Sequence, residues 1–128
     1  MASQLVRSRA FDQWFAALPV EVAAEIAALL EYLCEHGRGA SLPYVRHRIQ
    51  TSGNFPDMSE IRTDQFLRGD RYVMRVLTCF VDGDSKILVC VGGNKYLWEK
   101  EHKRDWYEAY VPVADLMVEK YLGRGERK

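Results

Sequence analysis

Two β-rich stretches, residues 72–80 (YVMRVLTCF) and 86–91 (KILVCV), lie on either side of Asp82-Gly83-Asp84-Ser85, and this arrangement constrains the chain more than any other feature. β-Branched and aromatic residues favour extended backbone, and the Asp-Gly-Asp-Ser segment is turn chemistry, so the unit reads as an antiparallel hairpin. Residues 58–63 (MSEIRT) form a shorter strand ahead of it, making a meander of three strands. Helical patterns flank this sheet. Phe11, Trp14, Phe15 and Leu18 fall at i, i+3, i+4, i+7, and Val22, Ile26, Leu29, Leu30 and Leu33 form one stripe of a second helix entered at Pro19 and stopped at Gly37. Helices gathered before and after an antiparallel sheet define an α+β fold, here an N-terminal helical hairpin packed on the sheet with C-terminal helices.

The segment 38–57 carries Gly39, Pro43, Gly53, Asn54 and Pro56 and reads as a connection with a brief ordered stretch over 44–49. Gly92-Gly93-Asn94 is expected to end the sheet. Trp98, His102, Trp106 and Tyr110 recur every fourth residue on one helix, which Pro112 is expected to break before a last helix over 113–122. A chain of 128 residues has room for one core, so residues 1–128 are read as a single domain. Without a signal-like apolar run or an apolar stretch long enough for a membrane span, the expected location is the cytoplasm, with no membrane partner.

Eighteen basic and eighteen acidic residues leave no net charge, so overall electrostatics cannot draw the protein to nucleic acid. The distribution is uneven. Between positions 38 and 75 lie seven arginines (38, 46, 48, 62, 68, 71 and 75) against four acids (Asp57, Glu60, Asp64 and Asp70), a local excess of three positive charges. Cys34, Cys79 and Cys90 are odd in number, sit in apolar stretches and lack metal-ligand spacing, so neither a disulfide nor zinc is expected. Three scattered histidines do not make a metal site, and no phosphate-binding glycine loop or nucleophile elbow is present. No cofactor is expected.

Strand alternation places Met58, Glu60 and Arg62 on one face and Ile61 on the other, and sets Arg75 in the apolar row Val73, Leu77, Cys79. A guanidinium there needs a counter-charge. Either Glu60 supplies it as a structural ion pair across the strands, or Arg75 belongs to an anion site. Lys95, after two glycines and an asparagine, could join backbone N–H groups in meeting an anion. Tyr107, His102 and His47 are further groups able to move a proton.

The order of these pieces carries more than any one of them. EYLCEHGRGASLPYVRHR, MSEIR, YVMRVLTCFVDGDSKILVCVGGNK and WYEAYVPVADLMVEKYL, in that sequence, resemble the RelE/ParE/HigB superfamily of toxins from type II toxin–antitoxin systems, especially its HigB-like branch. The match runs from about Phe11 to Leu122 and includes Glu60-Ile61-Arg62, Arg75-Val76-Leu77 and Gly93-Asn94-Lys95; only residues 4–8 could supply a further strand ahead of the first helix. The resemblance implies a small RelE-like, microbial-ribonuclease-like domain that cuts messenger RNA on the ribosome without a metal. It implies a cognate antitoxin, commonly a helix-turn-helix protein, with operator DNA bound only through the toxin–antitoxin complex. It also implies that Arg62, Arg75 and Lys95 meet the charge of the reacting phosphate, that Tyr107, His47 and Glu60 are the candidates for proton transfer, and that Arg46, Arg48, Arg62 and Arg71 contact RNA. The ParE branch inhibits DNA gyrase on the same fold, and a catalytically inactive phage-derived binding module is a further alternative.

Overall fold

The computed structural model describes residues 2–49 and 58–126, the last three as backbone only. In chain order the elements are β1 (Gln4–Arg7), α1 (Arg9–Ala16), α2 (Val20–His36), a 3-10 turn at Gly37–Gly39, β2 (Val45–Arg46), β3 (Met58–Leu67), β4 (Asp70–Val81), β5 (Lys86–Asn94), α3 (Lys95–His102) and α4 (Trp106–Glu126). The strands form one sheet in the order β1-β5-β4-β3-β2, antiparallel throughout except that β1 runs parallel to β5. Residues 4–7 therefore do supply a strand ahead of the first helix.

Each element follows from local chemistry. Ser8 ends β1 and begins α1: its hydroxyl accepts from Phe11 N–H and donates to the Cys90 carbonyl, fixing helix and sheet together. Gly37 closes α2 at φ 53°, a conformation that favours glycine. The ordered stretch expected near position 45 is a two-residue strand, Val45 opposite Ile61 and Arg46 opposite Glu60.

The sheet is buried on both sides. On one side, α1 and α2 cover Ile61, Met74, Val76, Phe80, Ile87 and Val89 with Phe11, Val22, Ile26, Leu30 and Leu33. On the other, α4 lays Trp106, Val111, Ala114 and Val118 over Met58, Leu77, Cys79, Leu88, Cys90 and Val91. A bulge in β5 opposite Leu77 and Thr78 leaves Cys90 unpaired and changes the phase, so that Cys90 and Val91 both join the α4 side.

Three boundaries differ from the sequence-based expectation. β3 and β4 run four residues past Thr63 to a two-residue turn at Arg68 and Gly69, both at positive φ (51° and 85°), the geometry that suits a tight hairpin. Gly92, Gly93 and Asn94 lie inside β5 rather than ending the sheet. Their composition answers a packing demand: a Cβ on Gly92 would stand 2.3 Å from the Trp14 ring, and one on Gly93 2.7 Å from Trp106 Nε1. Finally, the helix break falls at residues 103–105, with Pro112 inside α4. Lys103 adopts a left-handed cap, and the Asp105 carboxylate accepts from the N–H groups of Tyr107 and Glu108, starting α4 six residues earlier than the proline suggests.

Candidate functional site

Where β2 ends, the α4-facing side of the sheet changes from apolar to charged. Glu60, fully buried, stands beside Leu77 and gathers three guanidiniums. Arg46 donates to Oε2 through Nη2 at 2.5 Å and Nε at 3.0 Å; Arg75 Nε approaches Oε1 at 3.5 Å and Arg62 Nε at 3.9 Å. The Tyr107 hydroxyl, from the first turn of α4, donates to Oε1 at 2.7 Å. One carboxylate thus holds together side chains from β2, β3, β4 and α4.

Arg62 and Arg75 are direct cross-strand partners, so two like charges face each other, an arrangement that costs stability unless an anion lies between them. Glu60 supplies part of that compensation. Arg75, buried to within 8% of its side chain, also donates to the Met74 carbonyl at 2.8 Å and pairs with Asp64 at 3.2 Å. Among the described residues, Arg62 Nε, Arg75 Nε and Thr63 Oγ1 are buried without a hydrogen-bond acceptor. The three belong to residues lining a cleft of about 290 Å³ at the exposed edge of β3, beyond the last β2 pairing, with Glu25, Pro43, Tyr44 and Asp64 as its other walls. The guanidiniums of Arg62 and Arg75, which line this cleft with the carboxylates of Glu25 and Asp64, are the groups that an anion entering it would meet.

Lys95 and Glu99 complete the other flank. Glu99 accepts from Lys95 Nζ at 3.1 Å and from Trp106 N–H at 2.9 Å, tying the start of α3 to the start of α4. Lys95 Nζ lies 5.8 Å and Arg46 Cζ 5.3 Å from the centre of the Tyr107 ring, so the phenol is wedged between cations. Burial, followed by the hydrogen bond and the charge of Glu60, pushes the Tyr107 phenol up to about 12. At neutral pH it is a proton donor.

The structure therefore brings together Glu60, Arg62, Arg75, Lys95, Tyr107 and Arg46. Both readings of Arg75 meet here: it is an ion-pair partner of Glu60 and also lines the cleft. His47 lies elsewhere, just past the end of β2. Its ring nitrogens meet Ser59 Oγ at 2.7 Å and the Ala40 carbonyl at 2.6 Å, and it packs near Phe80. Arg48 is exposed at a left-handed position, φ 56°. Arg71 lies further along the hairpin, and His102 stacks on Trp98. Asn94 and Lys95 do not form a backbone anion nest, because the glycines before them are paired to β4 and the Asn94 side chain caps α3. Asp64 and Glu99 were not singled out from sequence. Glu99 had a signal, the i, i+4 spacing from Lys95; Asp64 had none short of knowing that β3 continues.

The described residues hold no cluster of histidine, cysteine or carboxylate groups able to bind a metal ion, and no disulfide joins Cys34, Cys79 and Cys90. None of the helices among them is long and apolar enough to cross a membrane. No protein-family profile matches the chain, and no curated protein matches its sequence. Among solved structures, the chain is similar to the free-state toxin RelE of E. coli (an arginine-to-alanine double mutant), with a TM-score of 0.50 and 20% identity, covering 77% of this chain and 90% of that one. It is also similar to a chain of the toxin–antitoxin complex RelBE2 from Mycobacterium tuberculosis, with a TM-score of 0.51 and 9% identity, covering 73% of this chain and 99% of that one. The fold is RelE-like.

Proposed function

We propose that this RelE-like chain is the toxin of a type II toxin–antitoxin pair, in the HigB-like branch, and that it cuts messenger RNA on the ribosome by metal-independent transesterification. The observation that carries this reading is the Arg62–Arg75 pair, two guanidiniums held side by side over a buried carboxylate at the mouth of a cleft. As the RNA 2′-hydroxyl gives its proton to solvent water in the open cleft and its oxygen attacks the adjacent phosphorus, the phosphorane gains charge before its bond to the 5′-oxygen breaks. Fixed cations lower that barrier because they need no reorganisation as charge develops. Arg62, Arg75 and Lys95 fill this role. The 5′-oxygen needs a proton, and Tyr107, kept protonated beside Glu60, supplies it. Glu60 acts through the groups it holds, since its oxygens are already occupied by three arginines and the phenol. Arg46, with an exposed flank, extends the positive surface toward RNA.

A neighbouring fold solved in a toxin–antitoxin complex supports an antitoxin as partner. A helix-turn-helix antitoxin would carry operator binding for the pair, and cytoplasmic messenger RNA would be the target.

The test is controlled expression of wild type and Lys95→Ala in bacteria lacking the antitoxin, mapping messenger 5′ ends within minutes of induction. Lys95 is partly exposed, so its loss leaves folding intact. The expected result is growth arrest with new in-frame ends for wild type and neither for the variant. Arrest with intact messenger would point to another target such as gyrase, and uninterrupted growth to an inactive binding module; either outcome overturns the nuclease reading.

A further inference from the structure

Beyond the arginine pair, the same side of the β3–β4 hairpin carries a second feature. Alternation puts Asp64 and Phe66 after Arg62 on β3, and Val73 and Arg71 before Arg75 on β4, with Phe66 directly opposite Arg71. Arg71 Cζ lies 6.0 Å from the centre of the Phe66 ring and 4.8 Å from that of Tyr96. Lys100, one turn along α3 from Tyr96, adds a second cation 6.0 Å from the Tyr96 ring. Phe66 is 77% exposed and Tyr96 39%, so both rings offer aromatic surface to solvent. With Tyr72, Leu97 and Asn94 they line an open concavity of about 590 Å³.

This platform is built and positioned. Asn94 holds both of its sides: its side-chain oxygen accepts from Val73 N–H and from Leu97 N–H, and its side-chain nitrogen donates to the Arg71 carbonyl. The asparagine thus closes the edge of β4 where β5 stops, caps α3, and sets Tyr96 against Arg71. On the reverse side the hairpin is anchored to α2 by Gln65 to Glu25 and Arg68 to Glu21.

We propose that Phe66, Arg71, Tyr96 and Lys100 form a base-stacking subsite for single-stranded RNA flanking the cleaved phosphate. The inference rests on the RNA-directed reading of Arg62 and Arg75. Phe66 and Arg71 lie four residues from that pair along the same strands and on the same face, about 13 Å away at a strand's rise of about 3.3 Å per residue. An extended RNA strand covers such a span in a few nucleotides. Aromatic rings accept any base face, and cations beside them meet the intervening phosphates, so the pairing of aromatic and basic residues matches a single strand. The lining holds two cations, Arg71 and Lys100, against one acid, Asp70, so an apolar peptide would leave a positive excess unmet, whereas a single RNA strand brings both ring faces for the aromatics and phosphates for the cations. The subsite would contribute affinity and register with little base preference.

The experiment compares wild type with a Phe66→Ala/Tyr96→Ala double variant, both positions being exposed, by fluorescence anisotropy with a labelled 2′-O-methyl RNA that cannot be cleaved. A matched RNA lacking bases on one side of its centre serves as the second probe. The variant is expected to melt like wild type and to bind the intact RNA roughly five- to 150-fold more weakly for each base that no longer stacks, while both proteins bind the base-depleted RNA alike. Equal binding of intact RNA by the two proteins overturns the proposal. So does equal RNA binding combined with escape of the variant from its antitoxin, which would make the platform a protein-docking face. Because binding is read without cleavage, failure of the subsite is separable from failure of the nuclease reading.

Discussion

On β3 and β4, Ile61 faces Val76 toward α1 and α2, and one residue further Arg62 faces Arg75 on the opposite side of the sheet. The two pairs share strands, register and backbone hydrogen bonding, yet their environments are unlike. Ile61 and Val76 are wholly buried among Phe11, Ile26 and Leu33, where shape and apolar area decide the packing. Arg62 and Arg75 repel one another and persist because Glu60 lies beneath them and Asp64 beside them. One side of this layer contributes stability; the other holds like charges that cost stability unless an anion meets them.

Substitutions on the two sides separate these roles. Glu60→Gln is the most damaging, with an expected loss of about 3–5 kcal/mol, because Arg75 is too buried to recover water once its counter-charge is gone. Arg46 and Arg62, each about a third or more exposed, regain solvation and soften the loss toward the lower figure. Urea unfolding measures it. Ile61→Ala follows, at about 2–5 kcal/mol from lost apolar burial and an unfilled cavity, and any fall in activity at low temperature should match the fraction unfolded.

Tyr107→Phe removes a donor to Glu60 and is expected to cost about 1.5 kcal/mol, the lower range for a hydrogen bond to a charged group, since the phenol keeps solvent contact. Its pH dependence is a sharper test. Folding raises the Tyr107 phenol from its ordinary 10.0 to about 12, so its contribution is fully present below about pH 10 and is lost as pH rises through about 12. The stability gap between wild type and Tyr107→Phe should therefore stay constant to pH 10 and close above it; a gap closing near neutral pH would mean that Tyr107 is not bonded to Glu60.

The same contrast explains what could be read from the sequence. α1, α2 and the meander announce themselves through apolar periods of 3.6 and 2, because their faces meet large apolar surfaces. Alternation also puts Glu60 and Arg62 on one face of their strand and Arg75 in the row of Leu77 and Cys79, and the cross-strand register brings these onto one side of the sheet. The hairpin beyond Thr63 was silent, since Asp64, Gln65, Arg68 and Asp70 are half-buried or exposed and carry no apolar alternation. Gly92 and Gly93 read as a terminator, whereas they clear space for two tryptophans distant in sequence. The aromatic recurrence from Trp98 to Tyr110 was sound as packing, with Trp98 near Tyr110 and Tyr110 on Trp106, but it spans two helices because Asp105 caps the second. His47 reads as a proton-transfer candidate from its side-chain chemistry alone, and the fold instead sets its ring against Ser59 and the Ala40 carbonyl.

Arg62 is proposed to serve a substrate rather than the fold. Purified wild type and Arg62→Ala, compared for thermal melting and for cleavage of messenger on programmed ribosomes, test it most directly. The expected result is a stability change under about 1 kcal/mol, as for a partly exposed ion-pair member, with cleavage reduced roughly 100-fold. Undiminished cleavage, or a loss of activity that follows a loss of folding, would contradict it.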